Sequence, residues 1–185
     1  MANFDLGAFQ QQISSQNSAL PPVDKWNPDF CGDIDIQIKH DGTWFYMGTP
    51  IGRKPLVKLF ASVLKREDDQ YFLVTPVEKI GIQVEDVPFI ITQWHKEDSK
   101  LVLTTNTGDN LIVSSKNPIQ IFVDKKTGVY LPYALVRRNL WARLHQNVFY
   151  QLAELAIERG EEQKLDGKCH LMLNSGDYHF SLGEL

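Results

Sequence analysis

Between Gly32 and Leu64 the chain runs GDIDIQIKHDGTWFYMGTPIGRKPLVKLFASVL, and its side-chain periodicity changes along the way. Ile34, Ile36 and Ile38 alternate with Asp35, Gln37 and Lys39, the period of a half-buried strand. Asp41-Gly42 follows, a pair favoured where both central residues of a tight turn need positive φ. With those two as the loop, Ile38 faces Phe45 and Ile36 faces Met47, and opposed residues share a face of the ribbon. Ile36, Ile38, Phe45 and Met47 then make the core face, while Trp44 and Tyr46 fall on the other, beside Lys39 and Gln37. Two aromatics among polar groups need a cover: the N-terminal segment, another domain or a ligand.

Gly48-Thr49-Pro50-Ile51-Gly52 breaks the second strand, and a helix is predicted with Pro55 in its first turn. Leu56, Leu59, Phe60, Val63 and Leu64 supply its apolar stripe. Arg53 and Lys54 stand at its start, where cations oppose the helix dipole. They are either solvated surface charge or a meeting point for an anion that the helix N-terminus also attracts.

A chain of 185 residues makes one domain or two small ones. Its 43% apolar and 23% charged residues are those of a soluble globular protein. A net charge of −4 argues against a general duplex-DNA binder. Cys31 and Cys169 lack metal-ligand spacing and are too few for a disulfide framework. No basic segment followed by an apolar run opens the chain, and no stretch approaches the roughly 20 apolar residues of a membrane span. The expected location is the cytoplasm.

The periodicity divides the chain into an arm (1–28), a hairpin-helix domain (29–85) and a strand-rich domain (86–185). Phe4 to Gln16 is predicted as a short helix, and the connector after it carries Trp26 as an anchor or, less favoured, a stacking platform. Tyr71–Thr75 and Glu78–Val84 read as strands. In the second half, Phe89–Trp94, Lys100–Thr105, Asn110–Ser114, Pro118–Val123 and Val129–Val136 are predicted strands joined by turn chemistry, a curled antiparallel sheet. Asn139 is the expected cap of the longest helix, with Trp141, Leu144, Val148, Leu152 and Leu155 as its core stripe. A bent sheet closed by one helix is the pleckstrin-homology-like arrangement. Leu171 to Leu182 reads as a closing hairpin. The overall class is α+β.

Ile36-Gln37-Ile38 and Ile119-Gln120-Ile121 each open a strand followed by a glycine-containing turn, an aromatic strand and a basic pair. The pairs are Arg53-Lys54 and Arg137-Arg138, each expected at a strand-to-helix junction. This suggests a duplicated hairpin-helix unit; two such junctions facing one another would bind an anion.

The ordered run DGTWFYMGTPIGRKPLVKLFASVL, YFLVTPVEK, VEDVPF, TNTGDN and LVRRNLWARLHQNVFYQLAE resembles a bacterial family of unknown function, numbered twelve eighty-five among uncharacterised domains. The similarity runs from about Trp26 to the C-terminus. It implies a duplicated α+β architecture with a pleckstrin-homology-like C-terminal domain, and a nucleotide-like ligand at the domain interface in a signalling context. Trp44, Gly48, Arg53, Thr75, Pro76, Glu78, Lys79, Pro88, Arg137 and Arg138 match its motifs.

The residues favour a non-enzymatic ligand-binding protein. Trp44 or Tyr46 would stack on the ligand, Arg53, Arg137 and Arg138 would hold anionic oxygens, and Thr75, Glu78 and Lys79 would add polar contacts. The structural alternative for Thr75-Pro76-Val77-Glu78-Lys79 is a turn, with Glu78 paired to Arg53. No nucleophile elbow, P-loop or dinucleotide fingerprint is present, so no catalytic residue and no cofactor are expected. The five histidines lack metal-site spacing; Cys169, His170 and His179 are the one grouping that merits a metal assay. The alternatives are a protein-protein adaptor using a sheet edge or the long helix and, third, an enzyme acting on phosphorylated substrates.

Overall fold

The computed structural model describes residues 5–14 and 20–185. The chain divides into two compact units, 1–85 and 86–185, and its class is α+β. Of the arm, α1 (Leu6–Ser14) is described, burying Phe9 and Ile13; Phe4, Ser15 and Gln16 of the expected helix lie outside the described residues.

In the first unit β1 (Phe30–Ile38), β2 (Trp44–Tyr46) and the two-residue β3 (Thr49–Pro50) form one meander. Helix α2 (Lys54–Ser62) follows, then a second meander of β4 (Leu64–Glu67), β5 (Gln70–Val74) and β6 (Lys79–Val84). The sheet order is β3-β2-β1-β6-β5-β4, with β1 and β6 parallel and the other neighbours antiparallel. The helix is shorter than its stripe suggested. Val63 is its C-cap, and Leu64 already belongs to β4.

The first hairpin has a three-residue loop, which overturns the predicted register. Lys39 N–H donates to the Thr43 carbonyl at 2.9 Å, and Gly42 N–H to the Lys39 carbonyl at 2.9 Å. His40 to Gly42 is thus the loop, with Gly42 at φ 87°, as three-residue hairpins require at their last position. Ile38 pairs with Trp44 and Ile36 with Tyr46. One extra loop residue moves every side chain of the second strand to the opposite face. Trp44, 1% exposed, joins Ile36 and Ile38 in the core, while Met47 is 66% exposed. The Trp44 ring stacks on Phe60 of α2 at 6.4 Å, and Phe9 of α1 meets the same Phe60 at 6.2 Å.

The second unit repeats this strand plan. β7 (Phe89–Glu97), β8 (Lys100–Thr105) and β9 (Asn110–Ile112) form one meander; β10 (Ile119–Val123), β11 (Tyr130–Arg137) and β12 (Leu140–Leu144) form the next. The order is β10-β11-β12-β7-β8-β9, with β12 and β7 parallel. Read from the first strand of each unit, the two six-stranded sheets have one topology, but the helix enters at a different point. It lies between the meanders in the first unit and after the second meander in the other, as α3 (Gln146–Arg159). The predicted repeat therefore had the wrong partners. Ile36–Met47 belongs to an opening meander, Ile119–Tyr133 to a closing one.

The segment assigned to the start of the long helix is β12. Leu140, Ala142 and Leu144 are buried at a spacing of two, and Trp141 lies on the other face. Arg138 and Asn139 are the loop between Arg137 and Leu140, with Arg138 at φ 53°. Helix α3 is capped by His145, whose ring nitrogen accepts from Asn147 N–H at 3.2 Å. Trp94 Nε1 of β7 donates to Gln151 of α3 at 2.8 Å. A third sheet, β13 (Glu162–Leu165), β14 (Lys168–Ser175) and β15 (Tyr178–Glu184), completes the unit, with α3 packed on β14. No helix among the described residues is long and apolar enough to cross a membrane.

The register has a mutational consequence. Trp44→Ala should lower unfolding stability by about 3–5 kcal/mol in urea denaturation, as truncation of a buried large aromatic does. Met47→Ala should stay within about 0.5 kcal/mol. The opposite ranking would restore the two-residue loop.

Candidate functional site

A cavity of about 430 Å³ lies over β1, β6 and β5 of the first unit. Its walls include Phe30, Asp33, Asp69, Gln70, Phe72, Gly81 and Gln83. It sits where the parallel β1–β6 ladder shifts register twice, between Phe30 and Asp33 and between Asp33 and Gln37. Such bulges re-aim side chains.

Phe72, Gly81 and Asp33 stand in a row across the three strands, since Phe72 pairs with Gly81 and Asp33 with the same glycine. A Cβ on Gly81 would overlap Asp33 Oδ1, so only glycine lets this carboxylate lie across the strand. The Asp33 carboxylate has no hydrogen-bond or ion-pair partner among the described residues. Phe30, 55% exposed, stands edge-on to Phe72 at 5.9 Å and forms the aromatic rim. Asp69 is engaged by Arg66 at 3.3 Å. Lys79 has its ammonium 4.4 Å from the Phe72 ring centre and bonded to Glu67. That bond holds Glu67 below the usual carboxylate range.

The residues singled out from the sequence do not assemble into one site within either unit. Trp44 is core. Tyr46 is half-buried beside it on the same face. Arg53 is the exposed N-cap of α2, and no side-chain partner for it exists among the described residues; it does not pair with Glu78. Thr75 is buried, and its hydroxyl accepts from Val77 N–H at 3.3 Å and Glu78 N–H at 3.0 Å, closing its own turn. Glu78 is half-buried in that turn, and Lys79 is tied to Glu67.

In the second unit Arg137 donates to Asp109 at 3.0 Å and lies over the Phe89 ring at 5.0 Å. Thr105 and Thr107 donate to the other Asp109 oxygen at 3.0 and 2.6 Å. TNTGDN and LVRRN are thereby clamped together, and Arg138 stands in the β11–β12 hairpin loop, not at a helix junction. A second buried network joins Asp86 to Tyr133 at 2.8 Å and to Arg143 at 2.9 Å. Burial, together with the Asp86 carboxylate, pushes the Tyr133 hydroxyl well above the ordinary phenol range.

The grouping of Cys169, His170 and His179 does not form. His170 stands opposite Glu184 and bonds to Ser181 at 2.9 Å, whereas His179 stands opposite Asn174 at the far end of the ladder.

The cavity residues Phe30, Asp33, Gln70, Phe72 and Gln83 were not among those expected. The available signal was Gly81, a single glycine inside the apolar run Ile80-Gly81-Ile82, which marks close approach of another group.

Residues 21–87 match the model of the N-terminal domain of DUF1285, a domain of unknown function, and residues 88–182 match that of the C-terminal domain. A crystal structure of a DUF1285 family protein from Silicibacter pomeroyi DSS-3 is 41% identical, with a TM-score of 0.79, covering 94% of this chain and 93% of that one. A second DUF1285 family protein, from Shewanella baltica OS155, is 34% identical with a TM-score of 0.53, covering 64% of this chain and 90% of that one. No curated protein matches. The chain belongs to the DUF1285 family.

The Asp109 cluster generates a pH prediction. Burial alone would raise this carboxyl; the Thr107 bond and the Arg137 charge outweigh burial and hold it below its ordinary value of 3.8. A carboxyl depressed in the folded state stabilises the fold fully above the unfolded value and loses that contribution as pH falls through the folded one. Acid unfolding of the wild type should therefore steepen below pH 3.8. Asp109→Asn should be less stable at neutral pH and flatter in that window, as read by circular dichroism.

Proposed function

We propose that this protein is a non-enzymatic ligand-binding protein and that its ligand is a small planar molecule rich in N–H donors, of the nucleobase or nucleoside kind, taken up by the cavity on the first sheet. The observation that carries this reading is the Asp33 carboxylate, lying across Gly81 without a partner among the described residues. A carboxylate only accepts hydrogen bonds, whereas the Gln70 and Gln83 amides both donate and accept. That set is suited to the edge of a base. Phe30 at the rim offers the face on which a flat ring stacks.

A cavity of about 430 Å³ falls within the range of small-molecule sites. The anionic part of the expected ligand has less support. The charged side chains of the lining are Asp33 and Asp69, and the neighbouring Lys79 already serves Glu67. Use of such a ligand in signal transduction is the extension that the family resemblance suggests.

Calorimetric titration with nucleobases, nucleosides and nucleotides tests the reading. Nucleosides or bases should bind, and added phosphates should weaken binding. Asp33→Ala and Phe30→Ala should each cost about 1–3 kcal/mol of affinity, with the unfolding midpoint of the free protein retained. Gly81→Ala should also weaken binding, by displacing the carboxylate. Arg53→Ala should have no effect. Absence of any binding, or binding indifferent to Asp33→Ala and Phe30→Ala, would discard the proposal.

A further inference from the structure

The second unit has its own, smaller cleft, about 310 Å³, between the end of β9 with its following loop and the turn that joins β14 to β15. Its walls are held from behind. Buried Ser175 accepts from Leu101 N–H at 2.8 Å, and Gly176 N–H donates to the Ser99 carbonyl at 2.8 Å, so the turn is fastened to the β7–β8 hairpin. The Tyr178 ring is stacked on buried Phe180 at 5.9 Å. Ile112, 45% exposed, contributes an apolar surface.

Two opposite charges, Lys100 and Asp177, line this one cleft. They do not pair with each other, and neither has a hydrogen-bond or ion-pair partner among the described residues. The Lys100 stem rests over Gly176, 3.7 Å from where a Cβ would stand. A simple anion would gain Lys100 and be repelled by Asp177; a simple cation would meet the reverse. The complementary ligand carries both charges.

We propose that this cleft binds a small zwitterion, a free amino acid with an apolar or aromatic side chain. Its carboxylate pairs with Lys100, its ammonium with Asp177, and its side chain lies against Ile112 and Tyr178. The volume, at the lower end of the range for small-ligand sites, suits one such molecule. The site is independent of the cavity on the first sheet.

The test is calorimetric titration of the full chain with each free amino acid at millimolar concentration, alongside its N-acetyl and C-amide derivatives. At least one apolar or aromatic amino acid should bind saturably, and loss of either charge from the ligand should weaken it roughly tenfold or more. Lys100→Gln and Asp177→Asn should each weaken binding to a similar extent, and the Lys100→Asp/Asp177→Lys double variant should bind better than either single variant. Urea midpoints of the free variants should match the wild type, because both side chains are exposed, and Phe30→Ala should bind normally. No binding by any amino acid overturns the proposal. So does equal binding of the uncharged derivatives, or binding unaffected in both single variants.

Discussion

In each unit the first and last strands of the sheet lie side by side and parallel, and that one ladder joins two meanders that would otherwise be separate three-stranded ribbons. Hairpin loops close antiparallel neighbours at little entropic cost; a parallel pair brings together strands far apart in sequence. In the first unit the pair is β1 with β6, and in the second β7 with β12. The chemistry of each sheet gathers close to this ladder. Asp33 and Gly81 face one another across the first. Arg143 lies on the second, bonded to Asp86 at the start of the unit.

The two ladders carry different loads. The first is irregular, with two register shifts, and its irregular stretch is where a carboxylate lies open over a glycine. The second is regular over Ala142 to Leu144, and its polar groups are consumed internally by Asp86, Tyr133 and Arg143. One topology thus holds an open polar surface in one unit and a closed polar network in the other. The helix also differs. α2 bridges the meanders and covers Trp44 through Phe60, while α3 follows β12 and is anchored to β7 through Trp94 and Gln151.

Much of this fold was legible in the chain. The strands expected at Ile34–Ile38, Tyr71–Thr75, Glu78–Val84, Lys100–Thr105 and Val129–Val136 correspond to β1, β5, β6, β8 and β11 with ends shifted by at most four residues, and the TNTGDN turn and the closing hairpin were correctly placed. Errors came where two periods fit the same residues. Trp141, Leu144 and Val148 satisfied a helical spacing, yet Leu140, Ala142 and Leu144 alternate as a buried strand. The repeat was sensed but aligned on the wrong meander, because short amphipathic hairpins resemble one another more than their positions in a sheet do. Of the candidate site residues, Arg137, Thr75 and Lys79 are tied into local structure by Asp109, their own turn and Glu67, partners that single-residue reasoning could not locate.

Alternating and helical patterns, turn residues and the ordered motifs were enough to determine the α+β class and membership of the DUF1285 family. These depend on interactions between near neighbours in sequence. Which face Trp44 takes was decided by one extra residue in the loop after Lys39, visible only once cross-strand pairing is known. Which polar groups remain open was likewise decided in three dimensions. Asp33 meets Gly81 across a parallel ladder, and Lys100 of β8 and Asp177 of the β14–β15 turn come to one cleft. Local periodicity carries no information about a contact whose partners are separated by most of a folded unit.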